Sequence, residues 1–597
     1  MNRLITTGID RQIDRCKLDS GRSKNVVYLG SWCIPFANYG EEGQAIVTYH
    51  WDNREQVFFD YKYIQCLTNR ILPLLADQLD QIHGLNLSHR AWRLIIGYWL
   101  QLFLTVAFDR WQMLTRARDC YFPLFTELHR HHPQDFHPLN TEHACELFFD
   151  DKWNHVFIGE MLESIGGIEV KPSIHLLKTR DGTDAFPYSK QVEKVVKSVS
   201  KKILFGAISK LLSIGRDSNL QLVLCLNERN YIDLAKLSGQ VNSAIIYQPQ
   251  FPSFSQIPWQ NSLRNWEIVN DEGDSAFEVY VKKAIAKWIP ISFIEGFKKT
   301  WAVVCEKEVN CARWVIVTQG RHFLDDSFKI WCADKIARGG KLVCVQHGGG
   351  LNKFNLAMKH EASIADLYAV NGSGDNTDPK NRDVGLTWGN IKCNSWNPDG
   401  TALLVCVAMP RYAFDMRSMA ISGQMQSYFN DQYNFYRSLP EKLRSEVRIR
   451  LYNQDYGWCQ ASRWSFNFAK IRFDDSRKSI KDSAKKSRII ICTYNASSFL
   501  EMLSANIPTI IFWNRELWEI PSSAENDFID LNSVGIFHGT PESAAKQMTA
   551  VWERVNDWWS SKELQHIRQS FCRKYAFRTN GMIDKLADVI NEVADKM

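Results

Sequence analysis

Several features that identify whole classes of protein are missing from this sequence. Its 15 cysteines include no CxxC pair, so neither a disulfide framework nor a zinc site is expected, and scattered free thiols suit a reducing cytosol. No basic block of the nucleic-acid-binding kind occurs, and the net charge is only +6, so a nucleic acid partner is not expected. The first residues contain no uninterrupted apolar segment, and we therefore expect no secretory signal.

Long apolar runs are missing too. The longest apolar window, Leu94 to Phe108, contains several polar or amphipathic residues and falls short of the roughly 20 residues of a membrane helix. We predict a buried core helix here, with contact to a membrane surface as the alternative. The small positive charge is compatible with an anionic ligand or an anionic membrane surface.

What remains is the composition of an ordinary folded protein, with 45% apolar and 23% charged residues. At 597 residues the chain is too long for one hydrophobic core. Short apolar segments alternate with helical windows from residue 221 onward, a pattern typical of parallel, doubly wound sheets. The predicted strands are residues 26–29, 45–49, 221–226, 243–248, 314–320, 342–345, 366–370, 402–410, 447–452, 488–494, 508–513 and 534–538.

A stretch rich in Asn, Gly, Asp and Pro, residues 371–400, is the best candidate for a domain linker. We therefore predict an α/β protein with an N-terminal Rossmann-like domain, residues 1–395, and a C-terminal one, residues 396–597, facing each other across a cleft. Helical insertions interrupt the N-terminal domain, and residues 130–152 are predicted to be irregular. The C-terminal domain is predicted to end in helices.

The segment QHGGG, Gln346 to Gly350, follows a predicted buried strand. Ligands of open α/β sheets bind at the carboxyl ends of strands. Glycines such as Gly348 and Gly349 let a diphosphate, carboxylate or sugar approach the backbone. His347 can donate to a phosphate oxygen or act as a base near neutral pH, and Gln346 is a further binding candidate. The alternative is an ordinary glycine turn in which His347 caps a helix.

A second polar segment, TYNASSFLE, lies between a predicted strand and a predicted helix. Ser497 and Ser498 are expected at the helix start, where hydroxyls and backbone amides hold a phosphate. Tyr494 and Asn495 belong to the same candidate site, and Glu501 is expected to accept hydrogen bonds from a ribose. The alternative is a plain serine cap followed by a glutamate that suits the helix dipole.

Two carboxylates are further candidates. Asp52, in YHWDNR, is either an active-site base or nucleophile or the N-cap of the helix that begins near Arg54. Asp455 is either part of a nucleotide pocket, with Tyr456 and Trp458 available for stacking, or part of a surface turn. The neighbouring Asp109 and Arg110 of FDRW end an apolar helix, so they are predicted to form a buried structural ion pair.

Metal sites are not predicted. The spacing of His129, His131, His132 and His137 fits no standard site. No DxD pair stands in a strand-end loop, since Asp325-Asp326 and Asp474-Asp475 both look like helix or turn starts. This favours a metal-independent mechanism, in which helix ends and basic side chains such as Arg411 stabilise a leaving phosphate. No cofactor is predicted.

The pair QHGGGLNK and TYNASSFLE resembles bacterial cell-surface polysaccharide transferases of GT-B fold, including Kdo transferases and the polyglycerol-phosphate polymerases of teichoic acid synthesis. In those families an HG motif closes the N-terminal domain, and a serine-bearing loop holds the phosphate of a cytidine nucleotide. The segments LGSWC, YHWDNR, IHG with WRLIIGYWL, FDRW, DDSFKIWCA, QHGG and DYGW are similar to a family of O-antigen transferases. Two departures are Gly350-Leu351, where an aromatic residue and Gly are expected, and Asn495, where a serine pair would follow the tyrosine.

The resemblance implies a cytoplasmic, metal-independent GT-B glycosyltransferase with an acceptor-side N-terminal domain and a nucleotide-donor C-terminal domain. Its donor would be a cytidine nucleotide sugar, with CMP-Kdo or a related acidic sugar first. The acceptor would be a lipid-linked or polymeric surface glycan of O-antigen or capsule type, reached by peripheral contact with the inner membrane. Two alternatives stay open: a CDP-alcohol phosphotransferase of teichoic-acid type, and a non-catalytic nucleotide- or glycan-binding protein.

Overall fold

Three parallel β-sheets organise the described part of the protein. The computed structural model describes residues 1–9, 25–34, 44–177, 220–225, 244–245, 254, 257–306, 313–372, 378–385, 393–577 and 582–597. Within these ranges the sheets contain five, six and six strands, and neighbouring strands in every sheet run parallel. The predicted α/β class is confirmed.

The first sheet has the strand order β3-β2-β1-β4-β5. Its strands are β1 Asn2–Ile5, β2 Val26–Tyr28, β3 Ala45–Ile46, β4 Leu124–Arg130 and β5 Ile168–Leu176. The sequence indicated β2 and β3 but missed the other three strands. β5 shows why, because most of its residues are exposed and it therefore lacks an apolar run or a strict alternation.

Four helices accompany the first sheet: α1 Arg54–His83, α2 His89–Tyr121, α3 Thr141–Phe148 and α4 Asp151–Ile165. The predicted helical insertion is present, and α1 continues through Pro73. The prediction of irregular structure over residues 130–152 is wrong in part, because the Asn140 side chain accepts a hydrogen bond from the amide of His143 and caps α3.

Helix α2 forms the centre of the N-terminal core. By length and composition it is the one helix of the described residues that is apolar enough to cross a membrane, and 94% of its apolar window is buried inside the protein. The prediction of a buried core helix is confirmed. Beside this window, Arg110 donates to Asp109 at 2.7 Å, and both side chains are almost fully buried, which confirms the predicted structural ion pair.

The second sheet has the order β11-β10-β9-β8-β6-β7. Its strands are β6 Leu220–Cys225, β7 Ala244–Ile245, β8 Arg313–Thr318, β9 Lys341–Val345, β10 Leu367–Val370 and β11 Asn381–Asp383. Its helices are α5 Ala276–Trp288, α6 Phe297–Glu306, α7 Arg321–Leu324, α8 Asp326–Ala337 and α9 Leu356–Ile364. Residue 226 and residues 243 and 246–248 of the predicted strands lie outside the described residues. As predicted, Asp325 marks a helix start, since its side chain accepts from the amide of Phe328 and caps α8.

The third sheet has the order β14-β13-β12-β15-β16-β17. Its strands are β12 Thr401–Val405, β13 Val447–Arg450, β14 Arg472–Phe473, β15 Ser487–Cys492, β16 Thr509–Phe512 and β17 Phe537–His538. Its helices are α10 Met425–Ser438, α11 Glu441–Arg444, α12 Gln460–Asn467, α13 Ile480–Ala484, α14 Ser497–Ser504, α15 Glu525–Ser533, α16 Pro541–Val551, α17 Val555–Trp559 and α18 Lys562–Tyr575. Counted from its own first strand the order is 3-2-1-4-5-6, which is that of the Rossmann fold.

The last helix, α19 Met582–Asp595, leaves the third sheet. Its buried residues Leu586, Val589 and Ile590 join a core cluster with residues of the second sheet such as Val315 and Val343. The predicted boundary near residue 395 separates the second sheet from the third. The C-terminal range 396–597 is nevertheless wrong at its end, because α19 completes the N-terminal half.

Candidate functional site

The site is built where the carboxyl ends of the second and third sheets meet. Residues 346–355, here called the glycine loop, follow β9, and residues 493–498, here called the serine loop, follow β15. The amide of Leu351 donates to Oδ1 of Asn495 at 2.9 Å, and Nδ2 of Asn495 donates to the carbonyl of Leu351 at 2.7 Å. The two predicted loops therefore face each other and are joined by one side chain.

Gly348 and Gly350 of the glycine loop are each required for a different structural reason. Gly348 has φ of +80°, a left-handed conformation that strains other residues. A Cβ atom at Gly350 would lie 2.8 Å from the carbonyl oxygen of Asn495, so only glycine lets the two loops approach this closely. Gly350 and Asn495 are the two positions at which the sequence differs from the family pattern, and they lie in contact with each other.

Replacing Asn495 by leucine, which has a similar shape, should therefore free the glycine loop. Both backbone groups of Leu351 lose their partner, and the free energy of unfolding should fall by about 1–3 kcal/mol. The amide of Leu351 should exchange its hydrogen faster. Asn495→Asp is the matched control, because it keeps the acceptor for that amide. Unchanged exchange at Leu351 in Asn495→Leu would show that the bond does not hold the loop.

Gln346 connects the carboxyl ends of β8, β9 and β10 by hydrogen bonds. Its Oε1 accepts from the amide of Asn371 at 3.1 Å, and its carbonyl accepts from Nε2 of Gln319 at 3.2 Å. Asn371 in turn donates through Nδ2 to the carbonyl of Gly348 at 3.2 Å. Gln346 is buried, so it positions the loop around Gly348 and Gly349.

His347 is an exposed residue of the glycine loop, although one part of its ring packs against protein. The ring lies over Gly320, where a Cβ atom would come within 2.8 Å of Nδ1, and its centroid is 6.3 Å from that of Phe323. Desolvation by this surrounding protein lowers the pKa of His347. The imidazole is therefore neutral near pH 7 and has one nitrogen able to accept a proton. It caps no helix, since α9 begins after Asn355.

A buried polar group lies beneath this histidine. Nε2 of His322 is 3.1 Å from Oε1 of Glu361, and the hydroxyl of Tyr368 donates to Oε2 of Glu361 at 2.7 Å. His322 and Glu361 are buried to within 1%. The negative charge of Glu361 opposes the lowering of the His347 pKa. Sequence reasoning missed this group, although the position of His322 just after β8 was a usable signal.

The serine loop leads directly into α14. Ser497 and Ser498 are the first two residues of that helix, as predicted, but its N-cap is Ala496, which makes no side-chain cap. The alternative of a plain serine cap is therefore wrong. The hydroxyl of Ser498 lies 2.7 Å from that of buried Tyr494. Both serines are partly exposed at a helix N-terminus, as is Glu501 one turn later.

Arg411 does not lie free in the cleft. Its guanidinium donates to Asp151 at 2.7 Å, to the carbonyl of Trp32 at 3.0 Å and to the carbonyl of Tyr456 at 3.1 Å. Asp151 begins α4 beside the first sheet, so this partly buried ion pair joins the third sheet to the first. Arg411 was expected to stabilise a leaving phosphate, but its guanidinium is bound by the chain itself and has a structural role.

The structure decides between a nucleotide pocket and a surface turn at Asp455 and Trp458. The carboxylate of Asp455 accepts from the amides of Cys459 and Gln460, both at 2.7 Å, which is the predicted surface turn. Trp458 is buried, and its indole donates to the carbonyl of Met409. The indole is therefore unable to stack on a base, and that expectation is wrong. Tyr456 remains partly exposed.

Asp52 stands at another junction between the halves. The helix cap is Asn53, which accepts from the amides of Glu55 and Gln56, so the reading of Asp52 as a cap is wrong. Its Oδ1 instead lies 3.3 Å from Nε2 of Gln424. Desolvation raises the pKa of Asp52, and the hydrogen bond from Gln424 opposes this shift. A catalytic role for this exposed carboxyl stays a prediction.

A cavity of about 680 Å³ lies beside the contact between the two loops. Its walls come from the glycine loop, α9 and the end of β10 on one side, and from α14 and α18 of the C-terminal half on the other. Gln346, Gly349 and Gly350 are among the lining residues. The volume is within the range of roughly 300–1,000 Å³ of small-molecule sites.

Parallel α/β sheets whose carboxyl ends face each other, with glycine and serine loops at the junction, define a two-part Rossmann-like arrangement, and in open α/β sheets such strand ends are where ligands generally bind. This is the arrangement predicted as GT-B-like. Residues 2–590 match the model of the LIC12162 family transferase, and the chain belongs to that family. The expected membership of a transferase family is thereby confirmed, whereas the resemblance to Kdo transferases is not.

The similarity of this chain to solved structures is weaker than its match to the family. MurG of Acinetobacter baumannii has a TM-score of 0.30 and 10% identity, covering 62% of this chain and 99% of that one. The wall teichoic acid polymerase TagF has a TM-score of 0.29 and 9% identity, with 69% and 99% covered. WaaG, a glycosyltransferase involved in lipopolysaccharide biosynthesis, has a TM-score of 0.26 and 12% identity, with 62% and 99% covered. These scores are too low to transfer an activity. No curated protein matches this chain.

Proposed function

We propose that this transferase is a glycosyltransferase that moves a sugar from a nucleotide donor to a bacterial surface glycan. The observation that carries the proposal is the contact between Asn495 and Leu351, which sets the serine loop of one Rossmann-like unit against the glycine loop of the other. The start of α14 then offers amides and hydroxyls to a donor phosphate. His347 faces the cleft as the donor to that phosphate or as the acid or base.

The donor is proposed to be a cytidine nucleotide sugar, with Kdo or a related acidic sugar first, on the strength of the sequence resemblance. Glu501, one turn into α14, is proposed to bind the ribose. The acceptor is proposed to be a lipid-linked glycan of O-antigen or capsule type. The enzyme would work in the cytoplasm, in peripheral contact with the inner membrane.

The proposed mechanism needs no metal ion. Asp325 is occupied as the cap of α8, and Asp326 is fully buried against Lys329, so this acidic pair is not presented to a ligand. Since Arg411 is held by Asp151, the positive end of α14 is the group proposed to stabilise the leaving phosphate. Asp52 is proposed as the base or nucleophile on the acceptor side.

Nucleotide binding at the serine loop tests the proposal. In a thermal-shift series with CMP, CDP, UDP, GDP and ADP, one cytidine nucleotide should raise the midpoint selectively. A ligand at 100 times its dissociation constant stabilises by about 2.7 kcal/mol. The shift should be lost in Ser497→Ala with Ser498→Ala, because the phosphate loses two hydroxyl donors.

Ser504→Ala is the matched control, since Ser504 ends the same helix and donates to the carbonyl of Glu501. This variant should keep the nucleotide shift. No shift with any of the five nucleotides would refute the proposal. A shift that survives the double serine change would place the nucleotide elsewhere in the cleft.

A further inference from the structure

The outer edge of the third sheet carries an excess of exposed positive charge. Residues 466–486, here called the basic edge, include the end of α12, the outermost described strand β14 and helix α13. They contain seven Lys or Arg and three Asp, a net charge of +4, whereas the whole chain has only +6. The exposed basic residues are Lys470, Arg472, Arg477, Lys478, Lys485 and Lys486. A large part of the net charge is therefore concentrated on one edge of the protein.

The three carboxylates of the basic edge leave this excess in place. The side chain of Asp474 is 5% exposed and is bound by Arg448 and Arg450 of β13, at 2.6 and 2.7 Å. Asp475 and Asp482 lie 2.9 to 4.0 Å from exposed Lys or Arg side chains of the same segment. Exposed pairs of this kind contribute little to stability, so the basic side chains can exchange these partners for an anion outside the chain.

Two exposed phenylalanine side chains lie among these charges. Phe466 is 82% exposed and Phe473 is 41% exposed. The exposed Arg437 of α10 donates to Asn467, the residue after Phe466, at 2.7 Å. Edge strands often carry Lys or Arg because these charges prevent pairing with another chain, but this does not explain a phenylalanine turned almost wholly to solvent. Exposed aromatic rings among basic side chains are typical of a surface that binds anionic membranes.

Hydrogen bonds place the turn after β14 beside α13. Arg450 of β13 donates to Asp474 at 2.7 Å and to the carbonyl of Lys478 at 2.6 Å. The hydroxyl of Ser483 in α13 donates to the same carboxylate at 2.7 Å. The basic residues of the turn and of α13 therefore lie side by side, next to Phe473 at the end of β14.

The basic edge also adjoins the cleft. Its turn follows the carboxyl end of β14, and the serine loop follows the carboxyl end of β15. Because the strands between them are parallel, both lie on the same side of the third sheet. A surface bound by the basic edge would therefore lie near the mouth of the cleft.

From this geometry we infer that the basic edge is the surface through which the protein binds an anionic lipid bilayer. The Lys and Arg side chains contact lipid phosphates, and the rings of Phe466 and Phe473 enter the headgroup region. The inference rests on the proposed function, which brings the enzyme to the inner membrane. It adds the residues that make the contact, their place on the C-terminal half and the lipid charge that they require.

Sedimentation of the full chain with lipid vesicles tests this inference. The protein should bind vesicles of equal parts phosphatidylcholine and phosphatidylglycerol, and should not bind vesicles of phosphatidylcholine alone. Lys470→Gln combined with Arg472→Gln and Lys478→Gln should weaken binding by at least about tenfold, since each basic residue near an anionic surface contributes about fivefold. Phe466→Ser should weaken binding by about tenfold, because the membrane no longer buries the ring.

The control for charge replaces three exposed lysines of other surfaces by glutamine, Lys299, Lys546 and Lys562. The control for the ring is Phe59→Ser on α1, where the side chain is 62% exposed. Both controls should bind like the unchanged protein, and the thermal midpoint should be the same in all variants because every replaced residue is exposed.

Equal binding to the two kinds of vesicle, or an equal loss in a variant and its control, would overturn the inference. A loss in the charge variant with none in Phe466→Ser would also overturn it, because a surface that acts through charge alone fits a soluble polyanion such as RNA.

The nucleotide series separates this inference from the proposed function. A cytidine nucleotide that shifts the midpoint while no anionic vesicle binds would overturn the membrane surface and leave the glycosyltransferase proposal intact. Vesicle binding that requires the basic edge and Phe466 supports the membrane surface even where no nucleotide shifts the midpoint, and the proposed function would then fail alone.

Discussion

Replacing His347 by alanine should lower the rate of sugar transfer by about 10²- to 10⁴-fold, the usual contribution of a positioned acid or base. His347 is an exposed residue, so the thermal midpoint should change little. The measurement is release of nucleotide from the donor selected by the thermal-shift series. His566→Ala, which removes another exposed histidine, should keep full activity. A His347→Ala protein with unchanged turnover would remove this residue from the mechanism.

The position of Gly320 allows a sharper test of His347. A methyl group at this residue would displace the ring, because its Cβ lies 2.8 Å from Nδ1, and φ of +88° adds backbone strain. Gly320→Ala should therefore slow transfer while His347 is present. In the His347→Ala protein the same change should cost no further activity. An equal loss in both proteins would mean that Gly320 acts through folding alone.

The pH profile gives a third observation on the same residue. Desolvation lowers the pKa of His347 below its ordinary value of 6.5. If its neutral form accepts a proton from the acceptor, activity is present above this lowered pKa and is lost as the pH falls through it. The acid limb of kcat/KM should thus lie below pH 6.5 and should be missing from the residual activity of His347→Ala.

Asp326→Ala should destabilise the protein by about 3–5 kcal/mol, the cost of breaking a buried ion pair on one side. Oδ1 of Asp326 lies 2.6 Å from the ammonium of Lys329, and both side chains are 0% exposed. The carboxylate also accepts from the amide and hydroxyl of Thr141 and from the hydroxyl of Ser292. The change therefore leaves a buried charge and three donors without their acceptor.

Urea unfolding followed by intrinsic fluorescence would measure this loss. Asp326→Leu combined with Lys329→Met should recover part of it, since the ammonium is no longer buried without a counter-charge. Asp482→Ala, at an exposed carboxylate on α13, is the control and should cost about 0–1 kcal/mol. A loss in Asp326→Ala no larger than in this control would show that Lys329 finds another partner.

The sequence predicted the strands that are buried on both faces. β9, β12, β15 and β16 each contain a continuous apolar run after a polar start, and such runs can be recognised because parallel sheets are covered by helices on both sides. Polar residues directly after two of these runs then identified the glycine and serine loops. Strands at an exposed edge, such as β5, carry no comparable signal.

Residue roles that depend on a distant partner were not predictable. Arg411 was expected at a phosphate and is instead bound to Asp151, 260 residues away. Trp458 was expected to be available for stacking and is buried, with its indole donating to the carbonyl of Met409. In each case the residue type was compatible with a ligand, and only the fold shows that the chain itself provides the partner.

By itself, the sequence determined the α/β class, the two loops at strand ends and the buried character of α2, because local hydrophobic periodicity and turn residues decide these features. Tertiary structure decided that Asn495 joins the two loops, that α19 returns to the second sheet, and that the glycine loop and α14 line one cavity. The physical reason is that hydrogen-bond partners and buried surfaces between residues far apart in the chain exist only once the sheets have packed.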